Sequence, residues 1–155
     1  MTCKTNNWGV WILSVHDKTP EGHLAFDLLD IIKCLTSTIE SYRWVAFDLD
    51  FLGDMFFAEG ECLSTSELID RSTKVEQVID DTFLAYSHTP IAGSVRSDWS
   101  HFPGSSAVLA VVAIDSSFFD VYTKNVDHMR LLKSRFADVR EEDPDRYFLR
   151  NDDIG

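Results

Sequence analysis

Apolar and polar positions alternate along this chain in two rhythms, one of strands and one of helices. Trp8-Gly-Val-Trp-Ile-Leu-Ser-Val15 is almost continuously apolar and reads as a buried first strand. Thr19-Pro20-Glu21 predicts a helix start, with Thr as N-cap, Pro at the first helical position and Glu near the positive end of the dipole. Leu24, Leu28, Ile31, Leu35 and Ile39 follow at spacings of three and four and form one apolar stripe. Trp44 to Leu52 reads as a strand. Val45, Phe47, Leu49 and Phe51 share one face of it, and Ala46, Asp48 and Asp50 share the other.

Gly53 to Leu63 reads as a loop. Ser64-Thr-Ser-Glu67 has the spacing of a capping box, and Leu68, Ser72, Val75 and Ile79 predict the inward stripe of a second helix. Glu67 with Arg71 and Asp70 with Lys74 would support it as i,i+4 pairs, and Asp80-Asp81 falls at its end. Further strands are predicted at Phe83–Ser87, Ile91–Arg96, Ser106–Ile114 and Phe118–Thr123, with a loop at Ser97–Ser105 and a tight turn at Asp115-Ser-Ser117. Asn125 can cap a third helix that points Val126, Met129, Leu132 and Phe136 inward. The fold class that follows is α+β: a largely antiparallel, or mixed, sheet of five to six strands with about three helices mainly on one face. Residues 1–138 form one globular domain, and residues 139–155, with six acids and three arginines, form a charged, partly ordered tail.

Charge sharpens the picture. Residues 44–95 hold ten acids and two bases, a net of −8 out of −12 for the whole chain. Between Arg43 and Arg71 lie seven acids and no Lys or Arg. So acidic a chain is poorly suited to phosphate backbones, which need clustered Lys and Arg, or to anionic membrane surfaces. Eleven Phe and four Trp supply a core that acidic disordered chains lack. The longest apolar run, Ala107 to Ile114, is eight residues, against roughly 20 for a spanning helix. Two tryptophans and the early His16-Asp17-Lys18 favour a strand over a signal peptide, and three widely spaced cysteines form no CxxC pair. A reducing, cytoplasmic location is expected.

Candidate chemistry is sparse. Val45-Ala-Phe-Asp48-Leu-Asp50 resembles the opening motif of haloacid dehalogenase-type phosphotransferases. That resemblance implies Asp48 as nucleophile, Asp50 as general acid and base, and Mg²⁺ at the phosphate. The family's Gly-Thr after the second Asp is Phe51-Leu52 here, and the competing reading is a solvated strand face. His16, His23, His88 and His101 show no ligand spacing, so no metal or other cofactor is expected. Trp99 and Phe102 fall in the loop expected at Ser97–Ser105, where they either anchor a partner or fold back over the sheet.

In size, acidity and lack of catalytic motifs the whole chain resembles the small immunity proteins that bacteria make against their own polymorphic or contact-dependent toxins. The resemblance implies a non-catalytic protein that blocks a basic partner, such as a nuclease toxin domain, by steric and electrostatic occlusion. The partner-binding residues expected from charge and loop position are Asp48, Asp50, Asp54, Glu59, Glu61 and Trp99. No direct nucleic-acid or membrane contact is expected, and the protein would be a monomer or homodimer. The alternatives are the Mg²⁺-dependent phosphotransferase and a structural assembly subunit.

Overall fold

The computed structural model describes residues 7–53, 58–91 and 93–148. The elements run β1 (Trp11–Val15), α1 (Leu28–Ile39), β2 (Arg43–Phe47), β3 (Phe51–Gly53), β4 (Cys62–Ser64), α2 (Thr65–Ser72), β5 (Val75–Val78), β6 (Asp81–Tyr86), α3 (Val95–Ser100), β7 (Ala107–Ile114), β8 (Phe118–Thr123), α4 (Val126–Arg135), β9 (Val139–Glu142) and α5 (Pro144–Tyr147). A 3-10 turn occupies Phe102–Gly104. The protein is α+β. Seven strands pair antiparallel in the order β4-β2-β6-β7-β8-β1-β9, and β3 with β5 makes a small second sheet.

The strand count exceeds the expected five to six because both edges are short and polar. β4 is Cys-Leu-Ser and β9 is Val-Arg-Glu-Glu, each too brief to show alternation. Edges this short also discourage sheet-to-sheet pairing between molecules, and β9 adds charge. β9 places residues 139–142, expected as tail, in register with β1.

One sheet face packs under α1, α2 and α4. Leu13, Trp44, Phe83, Val111 and Phe119 meet Ile31, Ile32, Leu35, Leu68 and Leu132 there. Burying each such aliphatic side chain contributes about 1.5–3 kcal/mol. The other face buries Ile12, Phe47, Leu84, Ala110 and Tyr122 beneath Phe102, with Trp8, Trp99 and Phe148 half-buried around them. Burial on both faces explains why Ala107–Ile114 is continuously apolar rather than alternating.

The expected helix start at Thr19 is overturned. Gly22 takes a left-handed φ of +86°, Lys18 bridges Leu24, and the segment is a turn. Asp27 caps α1 instead: its carboxylate accepts from Leu28 N–H at 2.8 Å, while Asp30 accepts from the Asp27 N–H at 2.9 Å. The second helix has the expected capping box, with Ser64 and Glu67 exchanging hydrogen bonds of 3.1 Å. It ends at Ser72, not Ile79, because Val75–Val78 leaves to pair with β3. Its Arg71 makes an ion pair with Glu61 of the preceding loop.

Ile91–Arg96 is not a strand either. Gly93, at φ +88°, and Ser94 lead into α3. The turn at Asp115-Ser-Ser117 and the Asn125 cap stand as read, with Asp115 and Ser116 at positive φ and Asn125 accepting from Asp127 N–H at 3.0 Å. Among the described residues no helix is long and apolar enough to cross a membrane.

Candidate functional site

The expected strand from Trp44 to Leu52 breaks at Asp48, which adopts φ +55°. Asp tolerates this left-handed region better than most residues, and the bend ends pairing with β6 at Phe47. Trp44 and Ala46 lie under the helices, and Phe47 lies on the far side. Asp48 and Asp50 therefore stand in a bend beyond the sheet and do not form an acidic strand face.

Several of the expected partner-binding carboxylates already have cations. Arg96 of α3 donates from Nη1 to Asp48 Oδ1 at 3.0 Å and from Nη2 to Glu59 Oε1. Its guanidinium also stands 5.0 Å above the Phe47 ring. The Asp48 N–H donates to Glu59 at 3.3 Å, which closes the group. Glu61 pairs with Arg71. Asp54 lies outside the described residues. Trp99 is half-buried and packs edge-on against Tyr122 with centroids 5.0 Å apart, near Phe102 at 6.1 Å. Trp99 thus lies in α3 and not in the expected loop at Ser97–Ser105, and of the two readings weighed for it this is the fold-back arrangement. Tyr86 Oη donates to Asp98 at 2.6 Å and ties α3 to the same face.

A second acidic group lies at the sheet end where β6 begins and β7 finishes. The Asp50 N–H donates to Asp81, while the Asp50 carbonyl accepts from Ile79 N–H at 2.9 Å and Asp80 N–H at 3.1 Å. The Asp115 N–H donates to Asp80 Oδ1 at 2.7 Å, and Val78 N–H donates to Asp27 Oδ2 at 3.4 Å. With Asp30 beside Asp27, six carboxylates from four stretches of chain meet in one hydrogen-bonded neighbourhood. No ion pair among the described residues involves any of the six. A cavity of about 210 Å³ adjoins them between the start of α1 and the end of α2, with Asp27, Asp30, Ser72 and Thr73 in its wall.

The burial of these groups differs. Asp50, Asp80 and Asp115 are exposed, Asp27 and Asp30 are half-buried, and Asp81 is 2% exposed. Burial, with the charges of Asp50, Asp80 and Asp27, pushes the Asp81 carboxyl up to about 7 despite the bond from the Asp50 N–H. Burial also raises Asp27 above the usual carboxylate range, against the bonds it accepts from Leu28 and Val78. Among the described residues no group of three or more His, Cys, Asp or Glu is arranged to hold a metal ion. The phosphotransferase-like pair is thus divided, with the Asp48 carboxylate on Arg96 and the Asp50 backbone on Asp81.

The chain has no significant match among protein-family models, curated proteins or solved structures. Its chemistry is read from its own residues. The sequence reading missed Asp27, Asp30 and Asp115 because they lie outside the densely acidic stretch. It missed Asp80 and Asp81 as site residues because they were assigned to a helix. The one local signal was Asp27-x-x-Asp30, which has the spacing of a cap.

Proposed function

We propose that this chain is a non-catalytic acidic binding protein that occludes a basic partner protein, in the manner of an immunity protein blocking a nuclease-type toxin. The observation that carries the reading is the convergence of Asp27, Asp30, Asp50, Asp80 and Asp115 around the buried Asp81, with no ion pair to any of them among the described residues. Carboxylates placed close together repel one another, and surface charges are screened only beyond about 8 Å at physiological salt. A cationic surface relieves that repulsion on docking and is steered toward it from a distance.

Asp48, Glu59 and Glu61 belong to the same binding reading as a flank whose field Arg96 and Arg71 partly cancel. Asp50 belongs to the second group, and Trp99 offers its exposed part at the α3 side. The reading includes a cytoplasmic location, in keeping with Cys34 and Cys62 as free thiols. It is tested by replacing the exposed Asp50, Asp80 and Asp115 together with Asn. Association with the basic partner should slow and lose much of its salt dependence, whereas an unchanged rate at low salt would remove this surface from the interface.

A further inference from the structure

Asp81 occupies the first position of β6, opposite Ala113 of β7, and is 2% exposed. Its Oδ1 accepts from the Asp50 N–H, while Oδ2 is buried with no hydrogen-bond partner among the described residues. Among the described residues the charged groups that act on it are carboxylates: Asp50 from the β2–β3 junction, Asp80 from the neighbouring position, and Asp27 from the start of α1. The facing position on β7 is the apolar Ala113, and Lys18 in the adjoining region donates to the Ser117 carbonyl.

A buried carboxylate with a bare oxygen and three like charges is costly in its ionised form. With a proton on Oδ2 the charge is gone, and Oδ1 still accepts from Asp50. Three segments meet at this point. The Ile79 and Asp80 N–H groups donate to Asp50 O, the Ser116 N–H donates to Ile79 O at 3.0 Å, and the Asp115 N–H donates to Asp80.

We propose that Asp81 is a proton-dependent latch: protonated, it fastens the β2–β3 junction to the sheet end, and loss of the proton loosens that junction. Burial first, and the neighbouring carboxylates second, bring the release to about pH 7. The folded state then holds a proton that the unfolded chain, with an Asp near 3.9, gives up. Stability from this group falls as pH rises from about 4 to about 7 and levels off above. The latch does not depend on what binds the acidic surface.

His128 acts in the opposite sense over an overlapping range, since burial lowers it to about 4. The wild-type pH profile alone would blend the two, so the test compares variants. Asp81→Asn keeps the acceptor and fixes the neutral form. The ratio of unfolding constants, wild type over this variant, should rise on the order of 100-fold between pH 5 and pH 8. In the same step, amide exchange at Asp50 should become faster in the wild type than in the variant.

The carboxyl carbon shift of Asp81 in the wild type should titrate near pH 7, a measurement that holds even if the variant folds poorly. Titration near pH 4, a ratio that stays flat, or an Asp50 amide indifferent to the proton would each overturn the latch.

Discussion

Ser14 and Asp120 stand directly opposite each other on β1 and β8, and the Ser14 hydroxyl donates to Asp120 Oδ1 at 2.6 Å with both side chains buried. The pair lies on the sheet face away from the long helices, next to the facing pair Ile12 and Tyr122. Burial raises the Asp120 carboxyl above its usual range, the Ser14 bond pulls it back, and the Glu142 charge pushes it up again.

Ser14→Ala therefore removes the hydroxyl that solvates a buried carboxylate. The loss should be about 1–3 kcal/mol, the usual cost of a buried polar group deprived of its partner. It should grow as pH rises through the titration of this carboxyl, because the ionised form gains most from the hydroxyl. Urea unfolding over a pH series checks both the size and the direction.

Thr65 joins three elements at the opposite end of the sheet. Its Oγ1 donates to the Ile39 carbonyl at 2.6 Å and accepts from Trp44 Nε1 at 2.9 Å. Thr65→Val preserves shape but strands Trp44 Nε1, while the Ile39 carbonyl keeps the Tyr42 N–H, so a loss of about 1–3 kcal/mol is expected. Trp44 is 1% exposed. A red shift of tryptophan emission in the folded variant would show water reaching the indole as well.

His128 is buried between two hydroxyls, with Nε2 2.8 Å from Thr38 Oγ1 and Nδ1 2.7 Å from Thr123 Oγ1. Burial lowers its pKa to about 4, so the neutral ring stabilises the fold above pH 6.5 and that contribution is lost as pH falls through about 4. Ring proton shifts should stay constant from pH 8 down to pH 5. A transition near 6.5 would contradict the burial.

Arg96 is more than half exposed, so Arg96→Ala should cost under about 1 kcal/mol in stability, as exposed ion pairs do. It would nevertheless release Asp48 and Glu59 from their shared guanidinium. If the acidic surface steers a basic partner, the variant should associate faster than wild type at low salt and converge with it at high salt. Stopped-flow association over a salt series measures this.

Much of the fold was legible where the pattern was long. β7, β8, the Asp115-Ser-Ser117 turn, the Asn125-capped helix and the Ser64–Glu67 box are all determined by runs or spacings that one stretch of chain contains. The misreadings share a cause: tertiary pairing overrode local preference. Val75 and Val78 fit a helical stripe after Leu68, but a β-branched segment opposite Phe51–Gly53 gains more as a strand. Thr19-Pro20 carried a helix-start signature, yet Gly22 turns the chain and Asp27 provides the stronger cap.

The candidate site was legible only in part. Local charge density pointed to Asp48, Asp50, Glu59 and Glu61, but it could not show that Arg96 and Arg71 fold back onto three of them. Nor could it bring Asp27, Asp30 and Asp115 beside Asp50 and Asp80. That meeting depends on the placement of α1 and on the β7–β8 hairpin, both of which are set by long-range packing.

The most direct test of the binding account is co-purification from the native host with wild type and with the Asp50, Asp80 and Asp115 to Asn variant, each at low and high salt. The account predicts a basic protein held stoichiometrically by wild type, more weakly as salt rises, and poorly by the variant even at low salt. Equal retention by the two proteins, or no basic protein on either at low salt, would contradict it.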